Sequence, residues 1–211
     1  MRRHYDQYCG IAHALDLVGD RWALLVIREL MRGPLRYTDL VERLPGIGTN
    51  ILAARLRDLE AGGVLTKRKL PPPAASRVYE LTEYGQALKP VLRELGLWGA
   101  RSLGPPTHEE ELFPGWLVNV LDTVLSPVAP AGRFEFRVGE EVASLVDGEA
   151  VEGSIESPDV VVQGTPGGVY RLFVERTADA VSVQGDAELL ERLIQAAPQP
   201  VELGTAASSA V

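Results

Sequence analysis

The sequence predicts an α+β chain of two domains, a winged helix-turn-helix followed by a second unit of sheet and helices. Three observations predict it. Residues 36–81 run helix, tight turn, helix, and then two short strands crowded with cations. The charge is split: residues 1–103 carry 16 Lys and Arg against 11 Asp and Glu, a balance of +5, whereas residues 104–211 carry 5 against 18, a balance of −13. Gly104-Pro105-Pro106 punctuates the chain between these halves. The expected division is a first domain over 1–103, a second over 110–197 and a flexible tail over 198–211.

Taken in order, Gly10–Val18 and Arg21–Met31 are helical, the second carrying the mostly apolar set Trp22, Leu25, Val26, Glu29 and Leu30 at helical spacing until Gly33-Pro34 stops it. A helix from about Thr38 to Leu44, with Thr38 as N-cap, leads into the turn Pro45-Gly46-Ile47-Gly48. The next helix, Thr49–Ala61, ends at Gly62-Gly63, where a left-handed stop is expected. At about 100° per residue its Leu52, Leu56 and Leu59 share one face. Asn50, Ala54, Arg57 and Ala61 share the other, flanked by Ala53.

Val64–Leu70 and Arg77–Leu81 read as the strands of a hairpin, joined by the stiff loop Pro71-Pro72-Pro73-Ala74-Ala75-Ser76. Thr82 caps a helix running to about Arg101, whose Leu88, Val91, Leu92, Leu95 and Trp98 form an apolar stripe larger than one small domain needs. Beyond the boundary, Leu112–Leu125 reads as an amphipathic helix, with strands near 133–138, 141–147, 150–155 and 159–163. A helix after Pro166, a strand at Ala180–Gln184 and a last helix capped by Asp186 complete the pattern.

Composition excludes several classes. The longest wholly apolar run, Trp22–Ile27, is far short of the roughly 20 residues that a membrane helix needs. Residues 1–8 begin basic, but no apolar signal-peptide region follows, so the expectation is a cytoplasmic protein without membrane attachment. A single cysteine, Cys9, rules out an internal disulfide framework. Three histidines, one cysteine and the lack of a glycine-rich phosphate loop leave no catalytic constellation and no metal or cofactor site. The expectation is a binding protein, not an enzyme.

The first domain points to double-stranded DNA. A helix-turn-helix lays its second helix in the major groove while the preceding helix crosses the backbone. Asn50 can bond bidentately to adenine and Arg57 to guanine, each worth about 1–3 kcal/mol of discrimination. Ala53 and Ala54 suit thymine methyls, and Thr49 at the helix start suits phosphate. Thr38 at the start of the preceding helix and Arg36 before it are further contact candidates. Lys67, Arg68, Lys69 and Arg77 crowd the hairpin, and four cations on one small element repel each other unless an anion arrives. Arg55, nearer the buried side of its helix, is read as part of an internal ion pair. An operator reader is one outcome. The alternative is a carrier of lipid or small apolar ligands whose winged helix serves only dimerisation.

Residues 9–103 resemble the HxlR family of bacterial winged-helix transcription regulators. The resemblance is carried by Cys9, DLVGDRWALLVIREL, LRYTDLVERLPGIGTNILAARLRDLEAGGVL and RVYELTEYGQALKPVLRELGLW. It departs from the family at Gly10, where proline often follows the cysteine, and at Gly48, where a serine-type cap is usual. The resemblance implies a DNA-binding homodimer, a repressor in the reading favoured here, built from the N-terminal helix and the long helix after the wing. That gives the stripe Leu88, Val91, Leu92, Leu95 and Trp98 a partner, together with Leu15, Leu17 and Val18. Two protomers would read half-sites about 34–36 Å apart. The family also implies that Cys9, at a helix start, can sense oxidants or electrophiles. Against this, a free cysteine is commonly a small hydrophobe.

Residues 110–197 resemble the sterol-carrier-protein fold in SPDVVVQGT, a helix, and then AVSVQGDAELLERLIQ. This implies a sheet with helices and an apolar tunnel for a lipid-like ligand. Candidate lining residues are Leu112, Phe113, Trp116, Leu117, Leu121, Phe134, Phe136, Leu172, Phe173 and Leu193. The plainer reading is that they form an ordinary core, since a pocket needs roughly 300 Å³ or more of concave space.

Overall fold

The computed structural model describes residues 4–73, 75–104, 106 and 113–198. The chain divides into two compact units, residues 1–92 and 93–211. The first holds α1 (Gly10–Val18), α2 (Ala23–Leu30), α3 (Tyr37–Arg43), α4 (Thr49–Ala61), β1 (Leu65–Lys69), β2 (Arg77–Leu81) and the short α5 (Glu83–Gln86). Helix α6 (Lys89–Leu103) begins in the first unit and ends in the second, at Gly104.

The first unit is built around one core. Val26, Ile27 and Leu30 of α2, Leu40 of α3 and Leu52, Leu56 and Leu59 of α4 meet Val64, Leu65 and Leu81 of the hairpin. The apolar face read from the spacing of α4 is therefore the buried one. β1 and β2 pair antiparallel, Leu65 opposite Leu81 and Lys69 opposite Arg77. Leu35 adds a bridge to Tyr79, donating to its carbonyl at 3.0 Å and accepting from its amide at 2.8 Å. The wing is thus pinned to the entry of α3.

Three departures from the sequence reading in the first unit have an evident physical setting. α2 starts at Ala23 because Trp22 holds a left-handed backbone, φ +79°. α3 starts at Tyr37, one residue before Thr38. Its N-terminus is closed by Asp39, whose carboxylate accepts from the Arg36 amide at 2.8 Å, so Thr38 is not the cap. The helix expected from Thr82 to Arg101 is two helices. Thr82 does cap the first, accepting from the Gly85 amide at 3.1 Å. Gly85 is pressed so closely on the residue before β1 that a Cβ there would run into the Val64 carbonyl. The backbone turns over Ala87 and Leu88 before α6 begins with Pro90 at its second position.

The second unit is a five-stranded sheet with helices. α7 (Trp116–Val120) runs on as a π-helical turn, Leu121–Leu125. It is followed by β3 (Arg133–Val138), β4 (Glu141–Val146), β5 (Glu149–Glu152) and β6 (Val160–Gly164). α8 (Pro166–Tyr170), with its own π-helical extension Arg171–Glu175, β7 (Val181–Gly185) and α9 (Ala187–Ala196) close the unit. The strand order is β5-β4-β3-β6-β7, antiparallel except for the central β3–β6 pair. Phe134, Phe136, Val138, Leu145 and Val162 turn one face of the sheet toward Leu117, Leu121, Leu172, Phe173 and Leu193. Glu141 of β4 secures α7, accepting from the Gly115 amide at 2.6 Å and the Leu117 amide at 3.0 Å. On the opposite face the buried Glu135 accepts from the Ile155 amide at 3.0 Å and pairs with Arg137 at 2.6 Å.

One buried charge in the first unit has a measurable consequence. Glu29 of α2 has no exposed side-chain surface, and only one of its oxygens is bonded, to Arg28 at 2.7–2.8 Å. Burial raises its pKa above the ordinary 4.5; Arg28 first, then Arg43 and Arg32, pull the other way without cancelling it. A raised folded-state pKa means that the folded state binds the proton more tightly than the unfolded chain. The stability contributed is full below pH 4.5 and is lost as pH rises through the folded value. Urea midpoints of the wild type should therefore fall, relative to Glu29→Gln, as pH climbs from 4.5 toward neutrality. Parallel midpoint curves for the two proteins would contradict this.

Candidate nucleic-acid interface

α4 presents Thr49, Asn50 and Arg57 to solvent, with Ala53 and Ala54 half-buried between them. The helix is aimed by two contacts. The Tyr37 hydroxyl donates to the Thr49 carbonyl at 2.7 Å, tying α3 to the start of α4. Arg55 pairs with Asp20, before α2, and with Asp58 one turn on at 3.3 Å. The internal role read for Arg55 is thus what the structure shows. Gly48 supplies no side-chain cap, so the first amides of α4 remain open toward its exposed end.

The wing cations fall into two kinds. Lys69 and Arg77 stand directly opposite each other and are exposed, and among the described residues neither has an ion-pair partner. Like charges opposite one another weaken a hairpin, which favours an anion at this tip. Lys67 and Arg68 are already engaged. Lys67 bonds Glu60 of α4 at 2.8 Å and lies 5.5 Å over the Tyr79 ring. Arg68 grips Glu80 of β2, its Nε 2.9 Å from both carboxylate oxygens and its Nη2 at 2.9 Å. Each acid raises the pKa of the cation that it holds. The premise of four mutually repelling cations therefore needs correcting, because two are neutralised within the chain. Arg36 and Thr38 are exposed at the start of α3, Thr38 Oγ1 lying 3.4 Å from Asp39.

The residues read as a dimer surface also separate. Val18 is in the core of the first unit, and Leu17, Leu88 and Leu92 pack against that core. Leu15 on α1 and Val91, Leu95 and Trp98 on α6 are exposed, at 44%, 56%, 43% and 67%. Tyr8, Ile11 and Leu103, absent from the sequence reading, are exposed large apolar residues as well. Cys9 is exposed at the N-cap of α1. The amides of Ala12, chiefly, and Ile11 favour its thiolate and hold its pKa below the ordinary value.

Of the apolar residues singled out in the second half, Leu117, Leu121, Phe134, Phe136, Leu172, Phe173 and Leu193 lie in one buried cluster, with Trp116 packed against it. Phe113 is half-buried; Leu112 lies outside the described residues. Among the described residues no helix is long and apolar enough to cross a membrane.

Tyr37, Glu60 and Glu80 are the interface residues that sequence reasoning missed. Glu80 was within reach, because a hairpin that pairs Lys69 with Arg77 sets Glu80 diagonally across from Arg68. The other two contacts join separate elements and leave no local signal.

A helix-turn-helix with a basic wing, its second helix exposing small and bidentate side chains, defines the class of winged-helix DNA readers. The chain belongs to the family described as HxlR-like helix-turn-helix, which matches residues 17–106. It is 36% identical to an HTH-type transcriptional regulator, sll1512, of Synechocystis over 51% of this chain and 79% of the relative. It is 37% identical to the HTH-type transcriptional regulator YodB of Bacillus subtilis over 44% of this chain and 82% of the relative. The solved reduced form of YodB is 34% identical, covering 48% of this chain and all of that one with a TM-score of 0.41. The chain is accordingly a DNA-binding transcriptional regulator.

Proposed function

We propose that the chain is a homodimeric, cytoplasmic repressor that reads operator DNA with α4 and works by binding, not catalysis. The observation that carries this reading is the pairing of an exposed α4 face, small residues with Asn50 and Arg57, with a wing tip whose Lys69 and Arg77 have no ion-pair partner among the described residues. The exposed apolar side chains on α1 and α6 support the dimer, since such side chains recur at a spacing that a partner helix can cover. Arg36, Thr49 and the wing grip phosphates, whereas Asn50, Ala53, Ala54 and Arg57 meet base edges.

The second unit holds the effector. What supports this reading is a sheet covered by helices, in keeping with the sterol-carrier resemblance. Cys9, exposed and biased toward thiolate, is the second input. Either input acts only to the extent that it prefers one spacing of the two α4 helices.

The test is a titration with duplex DNA selected by the protein from a random pool. About six to ten phosphate contacts per dimer give a log–log salt slope of roughly −5 to −9. A slope near zero would sink the DNA-reading assignment.

A further inference from the structure

We propose that Glu60 and Glu80 are built-in competitors of DNA phosphate for the wing, holding Lys67 and Arg68 back and keeping operator affinity below what the cations could deliver. The proposal rests on the wing being a DNA-binding element. Four observations lead to it.

Arg68 is not loosely paired. Its Nε reaches both oxygens of Glu80 at 2.9 Å, and its Nη2 reaches one of them at the same distance. A carboxylate seated on the guanidinium in this way occupies the donors with which an arginine would grip two phosphate oxygens. A phosphate arriving at Arg68 must displace Glu80 or do without that contact.

Lys67 is held from a different element. Its partner Glu60 lies in the last turn of α4, so the pair ties the wing to the helix that enters the groove. Arg57, one turn earlier on α4, lies close enough to repel Lys67. Glu60 offsets that repulsion while DNA is absent. Nearer the tip, Lys69 on β1 and Arg77 opposite it on β2 have no such acids among the described residues, so the restraint falls on two cations of the four. The wing has a bare tip for first contact and a masked base whose engagement depends on exchange of partners.

Glu80 acts through Arg68, so it is a positioning residue, and its test must separate that route from a general loss of negative charge. The full-length protein carrying Glu80→Gln is titrated, over a range of salt, with a duplex selected by the wild type from a random pool. Freeing one exposed pair per protomer should tighten binding roughly three- to tenfold. It should also steepen the log–log salt slope by about 0.9 for each phosphate newly held. Glu60→Gln should act in the same direction through Lys67.

The decisive arm repeats Glu80→Gln in an Arg68→Ala background, where the gain should vanish. A gain that persists there belongs to bulk charge and overturns the proposal. So does a wild type that binds the duplex as tightly as Glu80→Gln, or more tightly. A wild type without salt-dependent binding overturns instead the DNA-reading assignment, and the proposal falls with it.

Discussion

Replacing both Asn50 and Arg57 by alanine is expected to abolish discrimination between the operator and random DNA while leaving the salt dependence of binding almost unchanged. The two side chains are exposed on α4, seven residues apart and so on one face at helical spacing. A bidentate contact with a base is worth about 1–3 kcal/mol, and two such contacts in each of two half-sites are enough to consume the whole gap of about 4–10 kcal/mol between specific and non-specific binding. Affinity for the selected duplex should therefore fall about 1,000-fold or more, to the level of unrelated sequence. The wing and Arg36 keep their phosphates, so the slope should stay within about one unit of the wild type. Among the described residues neither side chain makes an ion pair, so thermal unfolding should move by no more than about 0.5 kcal/mol. A uniform loss across all sequences with a shallower slope would show that these residues grip the backbone and that the bases are read elsewhere.

The residues that support this expectation were legible because local rules fix them. α1, α4 and β2 fall where their start and stop signals place them: a glycine pair ends α4, and a Leu52, Leu56, Leu59 stripe settles which face is buried. What the sequence hid depends on contacts between elements. Gly85 of α5 lies close against the Val64 carbonyl just before β1 and the chain turns over Ala87 and Leu88, although Pro90 at the second position of α6 is a signal for a new helix start. The left-handed Trp22 shortens α2, and bulky residues seldom adopt that conformation without tertiary support. In the second unit, α7 owes its start at Trp116 to Glu141, more than twenty residues away, and its π-helical continuation has no pattern in LDTVL to announce it. The candidate interface shows the same division. The outward face of α4 was readable from periodicity, whereas the masking of Lys67 and Arg68 follows from the hairpin register and from how α4 meets β1.

Trp98→Glu is expected to turn the proposed dimer into a monomer and to take operator binding with it. Trp98 is 67% exposed on α6, and Leu95 and Val91 lie one and two turns before it at 43% and 56%. Large apolar side chains at this spacing are costly to leave in water, and an aromatic at the centre of an interface is a frequent hot spot worth about 2 kcal/mol or more. In a two-fold dimer the substitution occurs twice, so the loss is roughly doubled and buried like charges add to it. The dissociation constant should rise about 1,000-fold or more, giving a monomeric mass by light scattering at micromolar concentration. The single chain should stay folded, because Trp98 belongs to neither buried core cluster. Its melting transition provides that control. Each monomer would keep its α4 and wing but could hold only one half-site, so binding to a two-half-site duplex should fall toward that of one half-site alone. A Trp98→Glu protein that remains dimeric, with operator affinity intact, would remove α6 from the interface and leave the α1 residues Ile11 and Leu15 as the surface to test.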